Sequence, residues 1–335
     1  MTCRISAAAI NRTLRGTTGN TAPISRPFRG LRLGFGTLAA LTLVILGAAG
    51  ARAAERSLTD ASGEQVTVPQ DPQRVITLSE PDLDAALALG VEPVGTVAGR
   101  GQAGPPRYLG ERAASVEVIG QFMHPSMGRI IELQPDLILA GGVPDPQLIA
   151  QLRRVAPAVV TYQIGESWRQ ALQGAAEALH RQAEAEAFLA RYRERATAVE
   201  AALGQHAGAS VSIVRWNPRG PAYMQRDAFA SRVIRDAGLR RPDHQQEPGT
   251  AHTPPLSLEA LERIDADWIF VGTLQPAGEA VRALEQARDM PAFQALNAVQ
   301  AGHVVSVDGS LWTGPGGPLG ALAILADVEE AMAPR

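Results

Sequence analysis

The chain has a single cysteine, Cys3, and no lysine; all 31 basic residues are arginine. Beyond Cys3 there is no disulfide, no thiol nucleophile and no cysteine to carry a lipid. The missing lysine is explained by genomic base composition and carries no function. Aromatic residues make up only 4% of the chain, so where each one falls is informative. Also missing are a Gly-x-Ser-x-Gly elbow, a phosphate-cradling glycine loop and a His-Glu-x-x-His pair, which argues against an enzyme. Gly99-Arg100-Gly101-Gln102-Ala103-Gly104 spells a dinucleotide fingerprint, but Pro105 and Pro106 deny it the helix that motif must open.

Residues 1–53 contain seven Arg and no acid, then an apolar run from Leu38 to Gly47 and a small-x-small site at Ala51-Arg52-Ala53. This predicts a cleaved secretory signal. The alternative is a retained anchor, since Leu33 to Gly50 approaches the length of a span. No paired Arg precedes the run, so export of a folded chain is not indicated. A released chain with no lipid site would diffuse in the periplasm of a two-membrane bacterium. The remaining chain of about 280 residues can bury a full core. It carries 24 Arg against 34 acidic residues, a net charge near −10, which argues against nucleic acid as a partner.

The stretch Leu133-Gln134-Pro135-Asp136-Leu137-Ile138-Leu139-Ala140-Gly141 has an echo in Ile264-Asp265-Ala266-Asp267-Trp268-Ile269-Phe270-Val271-Gly272. Each is a helix end, an Asp, a short apolar strand and a Gly. A spacing this long is not a solenoid period. It predicts two similar α/β lobes with a ligand cleft between them. Strands at 74–78, 93–97, 116–120, 137–140 and 159–162 alternate with helices over 83–89, 126–133 and 146–155. That alternation predicts a mostly parallel sheet covered on both faces. Ser257 is expected to cap a helix over Leu258–Ile264. From Ser167 to Leu203 only Gly174 interrupts a helical pattern opened by a Ser167/Gln170 capping box. This predicts one helix roughly 50 Å long, able to bridge the lobes; a pair of shorter capped helices is the alternative. The expected layout is a signal over 1–53, an N-terminal lobe over 73–165, a bridging helix over 166–204 and a C-terminal lobe over 209–335, with one binding domain over 73–335.

In that layout the chain resembles the periplasmic solute-binding proteins for iron-siderophores, haem and vitamin B12. The resemblance rests on Arg74-Val75-Ile76, Ala88-Leu89-Gly90-Val91-Glu92-Pro93-Val94-Gly95, Leu133–Ile138, Val233–Pro242 and Leu256–Leu261. They occur in the family's order across nearly the whole exported chain, and the ferric hydroxamate and citrate branch is most similar. The resemblance implies two Rossmann-like lobes bridged by one long helix. It also implies capture of a ferric siderophore and delivery to the permease dimer of an ABC importer. Haem or cobalamin is the alternative ligand of the same fold; a zinc or manganese receptor is more remote. Iron would be bound only as a chelate, with no cofactor, by a monomer.

Two departures stand out. The family's permease-docking Glu in Pro-x-Leu-Glu is Gly128 here, in Pro125-Ser126-Met127-Gly128, so Glu132 is a candidate substitute beside Glu259 of the second lobe. The hydroxamate branch places an Arg two residues after Gly120, where this chain has Phe122.

A chelate already saturated by hard oxygens calls for aromatic walls and a few Arg. By resemblance, Trp312 is a pocket aromatic, and Arg215, Trp216 and Tyr223 face the cleft from the second lobe. The alternatives are a lid on the core for Trp312 and packing for the other three. Phe122 and Met123 end a cleft-facing strand; Arg100, Arg107 and Tyr108 lie on a loop that is a binding element or a solvated surface. Trp268 reads as core and Trp168 as structural. Of the six His, His124 and His252 fall on cleft loops and could ligate a haem iron; His180, His206, His244 and His303 form no ligand pattern.

Overall fold

The computed structural model describes residues 54–334, so the expected signal and its cleavage site lie outside the described residues. The chain starts with a hairpin that the sequence reading overlooked, β1 (Glu55–Thr59) and β2 (Gln65–Pro69). The first lobe follows as β3 (Val75–Thr77), α1 (Glu80–Ala88), β4 (Gly95–Ala98), β5 (Glu117–Gln121), β6 (His124–Pro125), α2 (Met127–Glu132), β7 (Leu137–Leu139), α3 (Pro146–Leu152) and β8 (Ala158–Val159). Its sheet has the order β6-β5-β4-β3-β7-β8, parallel except for the edge strand β6. After α4 (Trp168–Leu179) and α5 (Gln182–Ala202) come β9 (Val211–Asn217), β10 (Gly220–Tyr223), α6 (Phe229–Asp236), β11 (Trp268–Thr273), α7 (Glu279–Arg288), α8 (Pro291–Gln294), α9 (Asn297–Gln300), β12 (Val304–Ser306), α10 (Gly309–Trp312) and α11 (Pro318–Met332). The second sheet, β10-β9-β11-β12, is again parallel except at its hairpin edge. This is the two-lobed α/β architecture that the resemblance implies.

The sequence echo has a physical cause. Asp136 accepts the backbone N–H of Gln73 (2.7 Å) and of Arg74 (2.9 Å), at the entry to β3. Asp267 accepts the N–H and hydroxyl of Ser210, both at 2.7 Å, at the entry to β9. Each Asp thus ties the start of its own strand to the neighbouring strand. The terminal glycines are set by close approach: a Cβ on Gly141 would lie 2.3 Å from the Thr161 hydroxyl, and one on Gly272 would lie 2.4 Å from the Val307 carbonyl.

The continuous helix expected over Ser167–Leu203 is two helices. His180 adopts a left-handed conformation (φ 58°, ψ 48°), and the Arg181 N–H closes the first helix on the Ala176 carbonyl (2.8 Å). No Gly or Pro marks the break. The chain then doubles back, so that Trp168 of α4 meets Tyr192 of α5 edge-on at 4.8 Å. The capping box at Ser167 is present. The 21-residue α5 alone is the long helix that leads into the second lobe. Leu258–Ile264 is a 3-10 helix with a kink at Ala260 and no side-chain cap from Ser257.

The lobes are not two beads on one rod. One apolar core runs from Val75 and Leu139 of the first sheet, through α4, α5 and α11, to Ile213 and Phe270 of the second. Each lobe adds its own outer core. A polar clasp joins the lobes as well. Asp84 of α1 accepts the N–H groups of Leu319 (2.6 Å) and Gly320 (2.9 Å) at the start of α11, and the hydroxyl of Tyr108 (2.7 Å). No side chain of its own caps α11, so the first lobe supplies that cap. Gly317 permits the approach, because a Cβ there would sit 2.6 Å from the Asp84 side chain.

Candidate functional site

The parallel strands of both lobes point their C-terminal ends at one cleft, the usual ligand position in open α/β sheets. The cleft holds a cavity of about 320 Å³, within the range of small-molecule sites. The first lobe supplies Ser79 and Glu80 after β3, Arg100 after β4, Phe122 after β5 and Tyr162 after β8. Trp168 comes from the start of α4; the second lobe adds Arg215 at the end of β9, Phe229 and Arg232 on α6, His252, and the turn 313–316.

Two guanidiniums set the chemistry. Arg215 is held from behind by Thr313, through its hydroxyl (2.8 Å) and its carbonyl. Burial and the nearby Arg100 both lower its pKa, and Glu80 opposes them. Arg100 is exposed at the cleft, passes 6.0 Å from the Phe122 ring centroid, and makes no side-chain hydrogen bond to another described residue. Glu80 is 8% exposed, and its Oε1 accepts the Arg100 N–H at 2.6 Å. Burial raises its pKa, partly offset by that bond and by the charges of Arg100 and Arg215. The other charged side chains of the cleft are already engaged. Arg232 donates to the Asp227 carbonyl (2.7 Å), Asp227 pairs with Arg226 (3.1 Å), and Glu166 accepts the Gln163 N–H (2.7 Å). The cleft therefore offers guanidinium donors beside aromatic faces, a surface suited to an anionic organic ligand.

Of the arginine, aromatic and methionine residues singled out as ligand contacts, Arg100, Phe122 and Arg215 line this cavity. The others do not. Trp312 is fully buried, stacks on Phe270 at 4.5 Å and donates its indole N–H to Asp327 (2.7 Å); it is a lid on the core. Trp216 faces the outer core of the second lobe and packs edge-on against Phe293. It neighbours Arg215 on a strand, so the two necessarily point to opposite faces. Tyr223 is buried and its hydroxyl accepts from Arg263 (3.1 Å). Met123 occupies the turn between β5 and β6 with φ 69° and does not line the cavity. Tyr108 belongs to the Asp84 clasp. Arg107 spans the lobes elsewhere, in an ion pair with Asp308 at 2.6 Å.

Conversely, Trp168, read as structural, lines the cleft while 96% of it is buried, and Glu80, Tyr162, Phe229 and Arg232 were missed. Ser79-Glu80-Pro81 carried a usable signal, since a strand end followed at once by a capped helix lies at the cleft in such folds. Among the His, only His252 lines the cavity. His124 is exposed on the edge strand β6, His180 contacts Gln70, His206 and His303 pack on Trp268, and His244 meets the Arg263 carbonyl. Among the described residues no three His, Cys, Asp or Glu side chains converge as a metal site.

A family model described as periplasmic binding protein matches residues 75–311. A probable siderophore-binding lipoprotein of Bacillus subtilis, YfiY, is 28% identical over 283 residues, covering 82% of this chain and 86% of that protein. The achromobactin-binding periplasmic protein of Dickeya dadantii is 29% identical over 261 residues, covering 77% and 85%. Among solved structures, Staphylococcus aureus SirA complexed with staphyloferrin B superposes with a TM-score of 0.72 at 24% identity, covering 82% of this chain and 98% of that one.

Proposed function

The chain belongs to the periplasmic binding protein family, and from that premise we propose that it captures a ferric siderophore in the interlobe cleft and delivers it to an ABC importer. The observation that carries this reading is the pairing of Arg100 and Arg215, from opposite lobes, beside Phe122, Tyr162 and Trp168. The siderophore-binding and achromobactin-binding relatives align over most of their length and support it. The protein works outside the inner membrane, and iron enters as a chelate. The site is proposed to comprise Arg100, Arg215, Phe122, Tyr162 and Trp168, with Glu80 near enough to feel the charge of both guanidiniums.

Fluorescence tests the assignment. Ferric citrate, ferric staphyloferrin B, a catecholate chelate, haem and cobalamin should be titrated separately. Saturable quenching is expected with a ferric siderophore, and Trp168→Phe should remove most of it. Trp312→Phe and Trp216→Phe should leave it in place, since both rings are core. A response to haem or cobalamin alone would move the ligand to that alternative.

Docking on the permease is proposed to use Glu259, exposed at the start of the Leu258–Ile264 segment, and Glu132, exposed at the end of α2. Each has an exposed apolar neighbour, Ile131 at 57% and Leu258 at 38%. Only three large apolar side chains are so exposed among the described residues, and the third, Ile164, lies at the cleft. Exposed apolar groups beside charges mark interaction surfaces. Glu259→Ala should leave ligand affinity unchanged and reduce uptake sharply, because truncating a desolvated interfacial charge costs about 2–5 kcal/mol. Glu132→Ala should do less. Nothing lies within 4 Å of a Cβ built on Gly128, so Gly128→Glu fits and should strengthen docking. Normal uptake by Glu259→Ala would remove Glu259 from the interface.

A further inference from the structure

We propose that Glu80 is a built-in anion that neutralises Arg100 and Arg215 in the empty cleft and takes up a proton when an anionic chelate replaces it as their partner. The inference rests on reading the cleft as a site for a ferric chelate.

The geometry is unusual for a carboxylate. Glu80 is nearly buried, yet no guanidinium lies within ion-pair distance of it, and its one hydrogen bond is Oε1 with the Arg100 backbone N–H. Its second oxygen, Oε2, has no hydrogen-bond partner among the described residues. The groups that face it are Arg100 after β4, Arg215 on β9, and Tyr108 and Tyr162, whose phenols are kept neutral first by burial and then by Asp84 and Asp82, with Glu80 adding a smaller share. Asp82 and Asp84 share its helix, but each is committed to several donors of its own.

Glu80 has no role in gripping an anionic ligand, since it would repel one. It has a clear role in the empty cleft, where Arg100 and Arg215 repel each other. Bringing a second anion onto the guanidiniums leaves a buried carboxylate uncompensated, which low-dielectric surroundings penalise heavily. The inexpensive response is protonation: a proton from solvent goes to Oε2, while Oε1 keeps the Arg100 N–H. Burial pushes the Glu80 carboxyl in the same direction, against the Arg100 N–H and the two guanidinium charges, and a ligand anion that takes up those charges removes part of that opposition. By linkage, a ligand that takes up a proton binds more tightly as pH falls, up to about tenfold per pH unit. Haem and ferric citrate both carry carboxylates, so the behaviour follows from ligand charge rather than from one chelate.

Isothermal titration of the exported chain with ferric citrate and with ferric staphyloferrin B, in two buffers of different ionisation enthalpy, reads the proton directly. Between roughly 0.5 and 1 proton should be taken up per ligand at pH 7. Glu80→Gln should bind roughly tenfold or more tightly and take up none. Binding without proton uptake by the wild type, or weaker binding by Glu80→Gln, overturns the inference and leaves the ferric-chelate reading intact. Binding of neither chelate to either form overturns it together with that reading.

Discussion

Replacing Asp84 by alanine should destabilise the protein by about 3–5 kcal/mol, because each buried donor left unpaired costs about 1–3 kcal/mol. The donors are the N–H groups of Leu319 and Gly320 and the hydroxyl of Tyr108, buried or partly buried at the junction of the lobes. The loss also removes the cap of α11, the helix that packs on α1, α5 and α6. Urea unfolding followed by circular dichroism measures it. Asp84→Asn should cost less, and its penalty should depend on pH in a defined sense. Burial pushes the Asp84 carboxyl from 3.8 to about 6. A carboxyl raised on folding contributes stability that is complete below 3.8 and is lost as pH rises through 6, about 3 kcal/mol in all. The amide does not titrate, so the Asn penalty should be about 2 kcal/mol larger at pH 4.5 than at pH 7.5. Asp82, also raised to about 6 by burial, acts with the same sign in both proteins and cancels in the comparison. A penalty independent of pH would show that Asp84 stays charged throughout.

Arg215→Ala should weaken ligand binding by about 2–5 kcal/mol, roughly 30-fold to several-thousand-fold. Thr313 fixes this guanidinium before any ligand arrives, so its direction is set and little entropy is lost on binding. Arg215→Lys should not restore affinity, since a point charge lacks the planar fork that Thr313 holds. Thr313→Val should weaken binding less, by freeing the fork. Thermal unfolding should change little in both Arg215 variants, because Arg215 sits at the cleft and Trp216, not Arg215, fills the core. Ligand affinity unchanged in Arg215→Ala would take the second lobe's guanidinium out of the site.

The fold was legible because its determinants are local and repeated. Asp136 and Asp267 each pin a neighbouring strand, and Gly141 and Gly272 each allow a close approach, so the same letters recur in both lobes. The break at His180 was not legible, because it depends on a left-handed non-glycine residue and on where Trp168 and Tyr192 can meet. The first hairpin, β1 and β2, has alternating burial but stands outside the family's motifs. The cleft was half legible. Arg100 and Phe122 follow strand ends and Arg215 lies near one, which a sequence can locate. Which of Arg215 and Trp216 faces the cleft depends on the strand's register, and resemblance alone put both there. Trp312 misled because a tryptophan in a glycine-rich loop looks exposed until Phe270 and Asp327 are seen around it. Glu80 carries no distinctive signal, because an acid in the first turn of a helix has an ordinary explanation in the helix dipole.

The central claim is that the cleft between Arg100 and Arg215 holds a ferric siderophore. The most direct measurement is native mass spectrometry of the protein purified from its own iron-starved cells, compared with Arg215→Ala prepared in the same way. The account predicts a co-isolated ferric chelate, one per chain, on the wild type and its loss from the variant. Haem, cobalamin, a bare metal ion, or an equal load on both proteins would contradict it.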